Sequence, residues 1–116
     1  MIWWVLTGRQ AAKYMVPRGH GSTLFNGATV SMRGGANFAA FSAAKWGLRA
    51  VAHSMACELG PHVVHVAHLV VDGGVDSAAI HARRRAAAGG PDIEFAPDSL
   101  MNLGSIAETY WTLAQQ

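Results

Sequence analysis

The chain of 116 residues contains one cysteine, four prolines and only 14% charged residues. A lone cysteine, Cys57, excludes an internal disulfide framework and suits a reducing cytosol. It sits in a helical stretch among apolar neighbours and reads as a buried small hydrophobe. The formal net charge of +2 is too small to argue for nucleic-acid binding. Arg83, Arg84 and Arg85 adjoin, and a basic run that short reads as a solvated helix face. No apolar run approaches the roughly 20 residues that a membrane span needs. The opening Met1-Ile2-Trp3-Trp4-Val5-Leu6 stops at Thr7-Gly8-Arg9 and has no basic segment before it, unlike a signal peptide. These absences lead us to expect a cytoplasmic chain with neither nucleic acid nor membrane as a partner.

What the chain has in plenty is apolar surface, with 51% hydrophobic residues. One domain of this length has limited interior, so part of that surface is expected to lie against a partner subunit. Residues 3–15 read as a helix with Ala11, Ala12 and Met15 on its apolar side and Arg9 and Lys13 on its polar edge. Pro17-Arg18-Gly19-His20-Gly21 is expected to break it. Residues 22–26 form a short strand candidate, and 27–37 a glycine-bearing loop.

The strongest element is an alanine-rich helix over 38–59, stopped by Gly60-Pro61. Its apolar residues spread over more than one face, as in a helix packed on a sheet with one side and on another helix with the other. Residues 62–71 give the best strand, a nearly continuous valine-rich run of the kind covered on both faces in a parallel sheet. Asp72-Gly73-Gly74 ends it. A short helix over 77–88, stopped by Gly89-Gly90-Pro91, and a final helix over 105–113 complete the chain. The fold class is therefore α/β, an αβαβ arrangement with a helical tail in a single domain. Two parallel strands expose two edges, so the chain reads as a fragment of a larger doubly wound sheet.

From Gly21 to Ser77 these residues resemble the short-chain dehydrogenases/reductases, C-terminal half only. Residues 22–28 match the strand that the family ends with a catalytic serine. Phe41-Ser42-Ala43-Ala44-Lys45 matches the YxxxK motif, and Asp72-Gly73-Gly74-Val75-Asp76-Ser77 the turn that closes over the nicotinamide. The resemblance implies a Rossmann-like fold and NAD- or NADP-linked oxidoreduction of a carbonyl or alcohol. It implies catalytic roles for Lys45 and for Thr29 or Ser31, with Lys45, Gly73, Val75 and Ser77 as cofactor-binding residues. It also implies self-association through the helices at 3–15 and 38–59, with Trp3, Trp4, Trp46 and Met55 as anchors.

Four departures accompany it. The tyrosine that passes a proton to the substrate oxygen is Phe41, which has no proton to give. The serine position is Ala28, with Thr29 beside it and Ser31 out of register. The proline of the turn is Asp72. The glycine-rich pyrophosphate loop is missing, since Thr7-Gly8-Arg9 has no following glycines. The chain alone is therefore expected to be inactive as a reductase. A non-catalytic oligomerising module is the second reading. A small serine hydrolase using Ser22, His20 and Asp72 or Asp76 is the third, without a G-x-S-x-G elbow. His62, His65 and His68 invite a metal, but alternation along a strand keeps three from converging, so no metal is expected.

Overall fold

A computed structural model describes residues 2–90 and 94–116. Helix α1 (Ile2–Arg18) leads to strand β1 (Gly21–Ala28) and a 3-10 turn at Thr29–Ser31. Helix α2 (Ala39–Leu59) follows, then a second 3-10 turn at Gly60–His62, strand β2 (Val64–Val71), α3 (Ala78–Ala88) and α4 (Leu103–Ala114). The two strands pair in parallel, from Gly21 opposite Val64 to Ala28 opposite Val71. The α/β class and the partial Rossmann-like architecture agree with the reading of the sequence.

Parallel strands cannot be joined by a tight turn, so α2 is the crossover that returns the chain to the start of β2. Its inner stripe explains how it seats. Leu48, Ala52, Met55 and Leu59 recur at helical spacing. Leu48 and Ala52 bury against Phe25 of β1, with Met55 and Val66 packed around them. Alternation along β1 and β2 puts Phe25 and Val66 on the α1–α2 face. Asn26 and Ser22 lie on the other face, under α4. The Tyr110 hydroxyl donates to Asn26 Oδ1 at 3.0 Å, and the Ser22 hydroxyl to the Ala114 carbonyl at 3.3 Å. The sheet thus lies between two helical layers.

Two glycines permit close approaches. A Cβ on Gly27 would stand 2.6 Å from His68 Nε2, so the bare backbone of β1 makes room for that imidazole. Gly8 of α1 lies against Phe25 and Met55, where a Cβ would meet Met55 Cε at 2.8 Å, and this brings α1 down onto α2.

Several boundaries move from their expected places. α1 runs through Pro17, because a proline in the last turn removes a single hydrogen bond. The exit is made by Gly19 at φ 67, whose N–H donates to the Val16 carbonyl at 3.1 Å. β1 continues to Ala28, and Thr29–Ser31 is helical rather than loop. His62 belongs to a 3-10 turn, so β2 begins two residues later than expected. Gly89 at φ 88 ends α3, while Pro91 of the expected stop lies outside the described residues. Cys57 is exposed, not buried. It falls five residues beyond Ala52, which is about 140° round the helix from the core stripe, so apolar sequence neighbours do not bury it.

The radius of gyration is 17.0 Å, against about 13 Å for a compact chain of this length. Large apolar side chains stay at the surface accordingly: Trp3 is 73% exposed and Trp111 67%.

Val63 carries local strain. It adopts φ 60 and ψ 30, where a β-branched side chain is disfavoured; its N–H donates to the Gly60 carbonyl at 3.0 Å, but the residue is 71% exposed. Val63→Gly should therefore stabilise the chain by about 1 kcal/mol, after allowing for the greater freedom of glycine in the unfolded chain. A rise in the urea midpoint at unchanged slope is the expected result.

Candidate cofactor and substrate site

In open α/β sheets ligands collect beyond the carboxyl ends of the strands. Here Ala28 and Val71 are paired neighbours, so the residues that follow them, Thr29 and Asp72, emerge side by side. The Thr29 hydroxyl donates to Asp72 Oδ1 at 2.6 Å, and Arg33 Nη2 lies 3.5 Å from the same oxygen. This pair ties the ends of the two strands together.

α2 delivers Lys45 to the same end of β1. Lys45 Nζ donates to the Asn26 carbonyl at 2.8 Å. Phe41 lies one turn earlier, with its ring centroid 5.8 Å from Nζ, where a cation and an aromatic face attract. Asn26 therefore serves both layers: its backbone carbonyl holds Lys45, and its side chain receives Tyr110. Burial pushes the Tyr110 phenol above its usual pKa.

The other expected site residues are placed differently. Ser31 is wholly buried, and its Oγ accepts from the Ala28 N–H at 3.0 Å, so it shapes the 3-10 turn. Thr29 is the hydroxyl of this pair that reaches the strand ends. The turn at 73–77 is engaged by the chain itself. Met101 N–H donates to the Gly74 carbonyl at 2.8 Å, and Asp76 N–H to the Met101 carbonyl at 2.9 Å. A Cβ on Gly73 would meet Met101 Sδ at 3.3 Å. Val75 pairs with Met101, and the Ser77 side chain caps α3 by accepting from the Ile80 N–H at 3.4 Å. Lys45 and Thr29 thus stand near the carboxyl ends of the strands, while Gly73 packs against Met101, Val75 pairs with it and Ser77 caps α3.

Ser22 and Asp72 stand at opposite ends of the sheet, some 20 Å apart along the strands. Asp76 instead contacts His81 Nε2 at 2.6 Å. The hydrolase residues are therefore not brought together. His65 and His68 lie on opposite faces of β2, and no group of three or more His, Cys, Asp or Glu able to hold a metal occurs among the described residues.

With this geometry in place, the comparisons are specific. The family model for short chain dehydrogenases matches residues 4–88. The chain belongs to the short-chain dehydrogenase family. It is similar to the crystal structure of a short-chain dehydrogenase from Rhodopseudomonas palustris, with 41% identity and a TM-score of 0.57 over 86% of this chain and 45% of that one. It thus spans about half the length of that dehydrogenase. No curated protein matches it. Among the described residues no helix is long and apolar enough to cross a membrane.

One feature of this short-chain dehydrogenase chain escaped the motif-based reading. Lys45, Arg49 and His53 recur every fourth residue of α2, a basic row that helical spacing alone could have shown. His68 of β2 lies beneath it, fitted against Gly27, and its Nε2 is buried without a hydrogen-bond partner. Burial lowers the His68 pKa, and Arg49, Lys45 and His53 lower it further. A base with a lowered folded pKa takes up its proton more readily in the unfolded chain. Stability should accordingly fall as pH drops below about 6.5, the value for free histidine, and level off below the folded pKa. Urea titrations between pH 7.5 and 5 should show this decline, and His68→Leu should flatten it. An unchanged slope in the variant would assign the acid sensitivity to another group.

Proposed function

We propose that the chain supplies the lysine-bearing half of an NAD(P)-linked dehydrogenase site for a carbonyl or alcohol, and that it does not turn over on its own. The observation that carries this reading is Lys45 Nζ held on the Asn26 carbonyl at the carboxyl end of β1, one helical turn from Phe41. A dinucleotide would bring the hydride donor or acceptor. Lys45 would bind its ribose end, as the family relationship implies, with Thr29 on the substrate side. Phe41 offers no proton, Ala28 no hydroxyl, and the glycine-rich loop that grips a pyrophosphate is missing from the sequence.

Calorimetric titration tests the reading directly. NADH or NADPH should bind measurably, and Lys45→Ala should weaken binding at least tenfold, about 1.4 kcal/mol. A steady-state assay with NADPH should show no turnover. Turnover that is lost in Lys45→Ala would overturn the proposed inactivity, while binding indifferent to Lys45 would remove the site.

Self-association through α1 and α2 belongs to the same proposal. Between these helices runs an apolar groove of about 550 Å³ lined by Val5, Ala12, Val51 and Met55, with Arg9 on one wall and Glu58 on the other. A two-fold partner would set each Arg9 against the Glu58 of the other copy, the self-complementarity that an isologous interface needs. Sedimentation should show a dimer that Arg9→Glu dissociates and that Arg9→Glu with Glu58→Arg restores. A monomer at all concentrations would count against it.

A further inference from the structure

The Thr29–Asp72 contact fixes more than the strand ends; it fixes the polarity of the hydroxyl. A threonine hydroxyl has one proton to donate and lone pairs with which to accept, whereas a carboxylate only accepts. In the 2.6 Å contact the proton therefore belongs to Thr29 and points at Asp72 Oδ1. Arg33 Nη2, 3.5 Å from that oxygen, is a donor too, so the carboxylate has no reason to give a proton back. What Thr29 can show to a ligand is its lone pairs.

The surroundings do not supply a replacement donor hydroxyl. Phe41 and Ala28 have none. The Ser31 hydroxyl is wholly buried, with its Oγ receiving the Ala28 N–H. Lys45 gives one of its three protons to the Asn26 carbonyl, and its remaining donors are assigned to the dinucleotide on the reading above. Ser42 has its Oγ buried without a partner, away from solvent. A carbonyl oxygen, which only accepts, meets another acceptor at Thr29. A hydroxyl can donate to it.

We propose that Asp72 is a positioning residue that makes the Thr29 hydroxyl an obligate acceptor, so that the site selects a hydroxyl-bearing ligand over the matching carbonyl compound. This rests on the dehydrogenase reading for the location of the site and adds its ligand polarity. Asp72 then has a use at the position where the family's turn carries proline, and the preference follows from two side chains and the direction of one hydrogen bond. A site whose polar group is matched to a hydroxyl discriminates against an analogue that leaves it unpaired.

The test uses cyclohexanol and cyclohexanone as a matched pair, with binding to the intact chain followed by ligand-observed NMR. Cyclohexanol should bind about tenfold tighter, the effect of roughly one hydrogen bond at a partly exposed position. In Asp72→Ala the Thr29 proton is free to turn outward, and the ratio should fall to near unity or invert. Thr29→Val should lose the discrimination, and Thr29→Ser should keep it. A purely structural role for Asp72 would shift both affinities and leave their ratio unchanged, and that result overturns the inference. So does a wild-type ratio within twofold, or failure of both probes to bind. NADH titrated into the same samples separates the two levels. If NADH binds in a Lys45-dependent way and the probes do not discriminate, only the inference falls; if NADH does not bind, the underlying reading falls with it. Should Asp72→Ala fail to fold, Thr29→Val and Thr29→Ser examine the same hydroxyl from the other strand.

Discussion

The parallel β1–β2 ladder is the contact on which everything else in this chain depends. Such a ladder is non-local by construction: Gly21 pairs with Val64 across 43 residues of chain. It forms only if α2 lies back across the strands, and α2 does so because Leu48 and Ala52 find Phe25 beneath them. These few buried side chains hold the register of all eight residue pairs, since a one-residue slip would turn Phe25 and Val66 away from the helix. The chemistry inherits that register. Ala28 and Val71 finish level, so Thr29 and Asp72 meet, and α2 sets Lys45 over Asn26 two residues before the end of β1.

The charge distribution follows from the same frame. Lys45, Arg49 and His53 share one row of α2, and β2 sets His68 beneath them with no acidic side chain among the influences on its pKa. A row of like charges on a helix is mildly unfavourable. Lys45 is relieved by the Asn26 carbonyl and Arg49 by the Ser31 carbonyl, at 2.8 and 3.4 Å. The compensation is therefore by backbone dipoles at the carboxyl end of β1 and in the turn beyond it. The Asp72 carboxylate at the strand ends is left to Thr29 and Arg33.

Much of this was legible in the residues because the signals were local. The alanine-rich stretch ending at Gly60-Pro61 reads as one helix, and the valine run before Asp72 as one covered strand. The parts that escaped are those in which tertiary geometry outweighs sequence order. Pro17 looks like a breaker but falls in a last turn that tolerates it. Cys57 has apolar neighbours along the chain, yet it points away from the stripe that contacts the sheet. Ser31 and Thr29 are equivalent as hydroxyls in the sequence; the 3-10 turn buries one and presents the other. Asp72 looked like a simple loss of proline, and its partnership with Thr29 becomes visible only when two strand ends 43 residues apart are set side by side.

The same argument explains why the chain carries so much apolar surface. A two-stranded parallel sheet has no interior strand, and each strand keeps one free edge of backbone donors and acceptors. Of its helices only α2 buries a stripe, Leu48, Ala52 and Leu59, leaving Trp3, Trp46 and Trp111 at the surface of an elongated molecule. The dehydrogenase from Rhodopseudomonas palustris has more than twice the length matched here. The composition that marked the sequence as unusual, rich in apolar residues and poor in charge, is thus that of a chain whose two strands and flanking helices leave much apolar surface uncovered by one another.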